Sequence, residues 1–129
     1  MTAATGYVYD PLFLEHDLPG HPENRFRLER TVAALAEQGL LDRMQPVPAL
    51  PVDAALLQRV HDRSYVERVH QASARGGGYL DVDTYVTGRS YDAAVLAAGG
   101  TAGLTRAVLE GALRNGIALV RPPGHHAER

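Results

Sequence analysis

His125 and His126 stand side by side near the end of the chain, after a short apolar run (Ile117 to Val120) and a Pro122-Pro123-Gly124 turn. Imidazoles titrate near neutrality, so a pair aimed into one cavity can take a proton in one step and return it in the next. Along a strand, neighbouring side chains point to opposite faces and cannot share a site; on a loop past the strand they can. The unbroken apolar run suits a parallel strand buried on both faces, and the prolines and glycine stop it. In open α/β sheets the crevice beyond the carboxyl ends of the strands is where ligands bind. The pair is therefore expected on a loop at such an end, placed for proton transfer. Adjacent histidines are also common as surface or capping residues, and the pattern alone leaves both readings open.

Two other groups could do chemistry. His16, Asp17, His21 and Glu23 lie in one polar segment, as candidate ligands or as capping groups of the helix that follows. Asp81 and Asp83, two apart, would share a face of an extended backbone. They read as metal ligands, as acceptors for a ligand's N–H groups, or as solvated loop acids. His61 precedes a capping Asp62 and reads, with Tyr65, as structural. The chain has no cysteine, which excludes disulfides, thiolate metal sites and a cysteine nucleophile.

The elements that must position these residues follow from periodicity and punctuation. Gly6 to Asp10 alternates around Tyr7, Val8 and Tyr9 and predicts a first strand closed by Pro11. Leu28, Val32, Leu35 and Ala36 fall at helical spacing, with Gly39 at the C′ position. Met44 to Pro48 reads as a second strand. Asp53 caps a short helix through Val60, and Asp62 caps another carrying Tyr65, Val66 and Val69. Gly76, Gly77 and Gly78 end that helix and open a flexible loop. Ser90 caps a long helix from about Tyr91 to Leu113, rich in alanine and glycine. Each interior glycine weakens a helix by roughly 1 kcal/mol. Tolerating Gly99, Gly100 and Gly103 points to close packing against a sheet. Strand, helices, long helix and strand is the order of a parallel-sheet α/β protein.

Composition sets outer limits. At 129 residues the chain is one domain's worth. Its 45% hydrophobic and 22% charged content is that of a soluble globular protein. A net charge of −2 argues against a general nucleic-acid binder. All thirteen basic residues are arginine, which carries no functional weight here. MTAATGYVYDP lacks the basic start and apolar run of a signal peptide, and Ala93 to Leu104 is too short and glycine-rich to span a bilayer. A cytoplasmic protein is expected, with no membrane partner.

RPPGHHAE (121–128) as a whole string resembles the signature of the zinc-dependent deacetylases: histone deacetylases, acetylpolyamine amidohydrolases and acetoin-utilisation proteins. GHPENRFRL (20–28) is similar to the family's GHPERPxRL segment, which forms part of the active-site rim and would place His21 there. Arg25 stands where a proline is common, a departure expected to loosen the start of the helix. VHDRSYVERV (60–69) resembles a third family segment. The resemblance implies an α/β fold, a parallel sheet flanked by helices in an arginase/deacetylase-like three-layer sandwich, incomplete in this chain.

It also implies roles. His126 would be the general acid–base, and His125 would tune it and stabilise the transition state. Asp83, by its distance before the long helix, would accept hydrogen bonds from substrate, leaving Asp81 solvated. Arg27 would line an internal cavity below the site. The family's metal, zinc or another divalent cation, takes its ligands from later segments, as does the catalytic tyrosine, so no metal ligands are expected in this chain. Residues 1–129 would be the N-terminal portion of one deacetylase domain, inactive alone and open to self-association. The complete enzyme would act on acetyl-lysine, an acetylpolyamine or a small acetylated metabolite. Two other readings stay open: a non-catalytic interaction or regulatory module derived from such an enzyme, and an unrelated α/β binding protein.

Overall fold

The computed structural model describes residues 4–129. Met1 to Ala3, the start of the segment without a signal-peptide pattern, lie outside them. In chain order the elements are β1 (Thr5–Val8), α1 (Phe26–Glu37), β2 (Gln45–Pro46), α2 (Ala54–Leu57), α3 (Arg63–Ala74), β3 (Gly77–Tyr79), β4 (Tyr85–Thr87), α4 (Ser90–Leu109) and β5 (Asn115–Ala118). Three 3-10 turns join them: Pro11–Glu15, Leu41–Arg43 and Gly124–His126.

β1 is the centre of a three-stranded parallel sheet ordered β2-β1-β5. Its residues alternate, so Gly6 and Val8 face α4. A Cβ on Gly6 would run into Leu104 and Leu113, and one on Gly100 would come within 2.7 Å of Val8 Cγ1. Tyr9 lies on the opposite face, where burial first, and then the nearby Glu29 of α1, raises its phenol. Leu28 of α1 is buried in the same core as Val8, Phe13, Ala93, Leu96, Ala97, Leu104, Leu113 and Leu119, with Val32 and Leu35 packed against it. The expected parallel sheet flanked by helices is present. Among the described residues no helix is long and apolar enough to cross a membrane.

The helix stops are chemical. Gly39 sits at φ +67°, with its N–H on Ala36 and the N–H of Leu40 on Leu35, the paired bonds of a Schellman cap. Gly111, at φ +79°, closes α4 the same way, with Ala112 N–H on the Ala107 carbonyl. That cap ends α4 at Leu109, not at the expected Leu113, and Leu113 folds back into the core.

Other expectations shift. The last strand is Asn115–Ala118 rather than Ile117 to Val120, although Leu119 still donates its N–H to the Val8 carbonyl. Ile117 is 43% exposed, because β5 has a strand on one side only among the described residues. The stretch after Gly76 is a β-hairpin and not a flexible loop. β3 and β4 pair antiparallel, and Gly77 at φ +111° lies against the Val86 backbone where a side chain would collide. Asp81 is exposed, as expected, and its carboxylate also accepts the N–H groups of Asp83 and Thr84 and the Thr84 hydroxyl, tying the hairpin tip. Those bonds, the Asp83 N–H first, hold its carboxyl below the usual range.

Candidate active site

The histidine pair follows β5 as expected, but on a single 3-10 turn, Gly124–His126, closed by Ala127 N–H on the Gly124 carbonyl. The two rings lie together, with centroids 4.3 Å apart and both exposed. They line a groove of about 950 Å³, whose walls also include Asp83, His21, His16 and Tyr85. The residues singled out from three separate segments thus meet at one concave surface.

The polar segment 16–23 does not act as a ligand cluster. His16 is buried, stacked on Tyr85 at 4.4 Å, with Nδ1 2.6 Å from Ser90 Oγ. Burial, then the Arg121 charge, pushes its pKa down to about 4, so it is a neutral core histidine. Asp17 accepts the N–H of Arg25 at 2.8 Å. A proline at 25 could not make that bond, and the Arg25 guanidinium also pairs with Glu29 one turn on. The departure from proline therefore ties down the start of α1, where loosening was expected. His21 reaches Asp83, with Nε2 3.0 Å from Oδ1.

Glu23 turns to Arg121, the residue that joins these pieces and that the sequence does not single out. Arg121 is 3% exposed. Its guanidinium donates to both Glu23 oxygens, to the Tyr85 hydroxyl at 3.0 Å, and to the carbonyls of Phe13 and His16. Tyr85 in turn donates to the Glu23 carbonyl at 2.8 Å. Burial alone would push the Glu23 carboxyl up, but the Arg121 hydrogen bond and charge prevail and hold it below its ordinary value. Burial raises the Tyr85 phenol. No local signal marks Arg121, because its burial depends on Glu23 and Tyr85 arriving from other segments.

Arg27 lies on the other side of Glu23, which it contacts at 3.0 Å with its side chain 65% exposed. It lines a second cavity of about 390 Å³ with Arg30, Thr31, Arg121 and Pro123. His61 caps the C-terminal segment, its Nδ1 bonded to the Glu128 carbonyl, and tilts against Tyr65 at 5.6 Å. No three His, Cys, Asp or Glu side chains among the described residues converge so as to hold a metal ion.

A profile of the histone deacetylase domain matches residues 21–129. The chain belongs to the histone deacetylase family. It is 39% identical over 127 residues to a probable deacetylase of Archaeoglobus fulgidus, covering 96% of this chain and 35% of that protein. It is 35% identical over 144 residues to the histone deacetylase-like amidohydrolase of Pseudomonas aeruginosa, covering 98% of this chain and 38% of that protein. Among solved structures, the HDA15 HD domain superposes with a TM-score of 0.92 at 38% identity, over 98% of this chain and 38% of that one. The chain thus spans between a third and two-fifths of the length of these histone deacetylase relatives.

Proposed function

We propose that residues 1–129 are the N-terminal portion of a metal-dependent deacetylase domain. In its complete form it removes acetyl groups from acetyl-lysine, an acetylpolyamine or a small acetylated metabolite. The observation that carries this reading is the meeting of His125, His126 and Asp83 on one groove. His126 takes the proton from a water as its oxygen attacks the acetyl carbonyl carbon. When the C–N bond breaks, the same imidazole returns that proton to the leaving amine nitrogen. His125, with its ring 4.3 Å away, stabilises the charge that builds up on its neighbour and on the tetrahedral intermediate. Asp83 accepts N–H groups of the substrate at the mouth. Among the described residues no set of side chains fits a metal site. Zinc or another divalent cation enters the reading only as a group held by residues outside this chain.

Steady-state kinetics of the complete protein on an acetyl-lysine peptide and an acetylpolyamine test the assignment. His126→Ala should lower kcat by about 10²–10⁴-fold, and Asp83→Ala should act mainly on KM. Near-normal turnover by His126→Ala would sink the proton-transfer role. The peptide-to-polyamine ratio of kcat/KM assigns the substrate class.

A further inference from the structure

We propose that His21 is a positioning residue for Asp83: it fixes the carboxylate so that one oxygen is held and the other is presented to substrate. This rests on the reading of Asp83 as the substrate acceptor. The hydrogen-bond inventory around the ring decides its tautomer. His21 Nδ1 lies 3.0 Å from the Glu23 N–H and 3.2 Å from the Glu23 carbonyl. That carbonyl already receives the Tyr85 hydroxyl at 2.8 Å. The Glu23 N–H has no acceptor but Nδ1 among the described residues. A proton on Nδ1 would face that N–H head-on and orphan it. The neutral ring therefore carries its hydrogen on Nε2, which donates to Asp83 Oδ1 at 3.0 Å.

The rest of the clamp is asymmetric in a way that suits presentation. The His21 side chain is 14% exposed, against 68% for Asp83. Its ring stands edge-on to Tyr85 at 4.9 Å, and Tyr85 is locked to Glu23 and Arg121. From below, Asp81 takes the backbone N–H of Asp83 at 2.9 Å. Among the described residues no donor reaches Asp83 Oδ2. The backbone and one carboxylate oxygen are thus fixed by buried or tied groups, and the free oxygen stands at the rim of the groove. Its complement is a substrate N–H beside the acetylated chain. Fixing it beforehand removes the cost of ordering it when substrate arrives.

The test combines kinetics with a tautomer readout. In the complete protein acting on an acetyl-lysine peptide, His21→Ala should raise KM about ten-fold, the worth of one hydrogen bond to a charged group, and leave kcat nearly unchanged. His21→Gln, which keeps a donor where Nε2 stands, should restore most of that loss. In an Asp83→Ala background His21→Ala should add nothing further to KM, because its effect passes through Asp83. Equal effects of His21→Ala in both backgrounds would overturn the positioning role. Two-bond ¹⁵N–¹H spectra of the 129-residue chain read the bond without turnover. A hydrogen on Nε2, with its resonance moving on Asp83→Ala, supports the clamp; a hydrogen on Nδ1 overturns it. Should the spectra support the bond while Asp83→Ala leaves KM untouched, the substrate reading of Asp83 fails, and the positioning role fails with it.

Discussion

Arg121 puts a cation inside the protein with its donors met by oxygen from four residues: Glu23, Tyr85, Phe13 and His16. Removing one partner of such a buried pair leaves an uncompensated charge, which costs about 3–5 kcal/mol. Arg121→Met should therefore lower stability by about that amount in urea unfolding, and adding Glu23→Gln should recover part of it. His16 makes the neighbourhood sensitive to acid. Its folded pKa is depressed to about 4 from 6.5, so between these values the unfolded chain binds the extra proton. Stability from this group is full above about pH 6.5 and is lost as pH falls towards 4, by about 3 kcal/mol in all. Glu23, also depressed by its cation, loses its contribution in acid too. Urea midpoints at pH 7 and pH 4.5 should fall apart in the parent and draw closer in His16→Asn. At this scale His21 and the histidine pair are marked by recognisable strings and Asp83 by its distance before α4, and all four line one groove. Arg121 sat in the same string as the histidines. A chain whose basic residues are all arginine gives no hint of which one is buried, because burial depends on Glu23 and Tyr85 arriving from other segments.

The long helix α4 separates two kinds of glycine. A methyl group on Gly99 would land on the backbone of Leu50 to Val52, the segment whose Val52 N–H bonds to the Val95 carbonyl of the helix. Gly103 has nothing within 4 Å of the same position. Gly99→Ala should destabilise by about 1–3 kcal/mol through overpacking, and Gly103→Ala should stabilise by up to about 1 kcal/mol through helix propensity. Paired thermal melts of the two variants check both signs. Helices were readable here because apolar spacing and glycine stops are local. Gly39 ends its helix where the apolar spacing also ends, whereas Gly111 is masked in the sequence because the apolar Ala112 and Leu113 continue the helical pattern. The hairpin β3–β4 was not legible. Its strands are three residues each, too short to show alternation; β3 begins with two glycines, and only Tyr85-Val86-Thr87 of β4 favours a strand. What holds it is pairing and the Asp81 bonds at its tip, both of which exist only after the chain has turned.

At the scale of the molecule, parallel architecture followed from the order of segments, but the strand order β2-β1-β5 did not, because a crossover leaves no local mark. The outer side of β5 has no strand on it among the described residues, and Ile117 is partly bare there. Sheet edges of this kind template association. Sedimentation of the 129-residue chain should show concentration-dependent self-association that Ile117→Arg reduces. Calorimetry should detect no sub-micromolar zinc binding, since tight sites need about three or four converging ligands. The pairing of β1 with β5 sets Thr5 opposite Asn115 and Val8 opposite Ala118, so β1 waits for a strand made more than a hundred residues later. At about 5–20 residues per second of synthesis, the nascent chain carries half of its sheet unfinished for several seconds. Over that interval Glu23 also lacks its buried Arg121 partner and has only the exposed Arg27. The timetable of the ribosome thus makes the histidine groove a late product of translation: it closes only once the segment bearing those histidines has emerged.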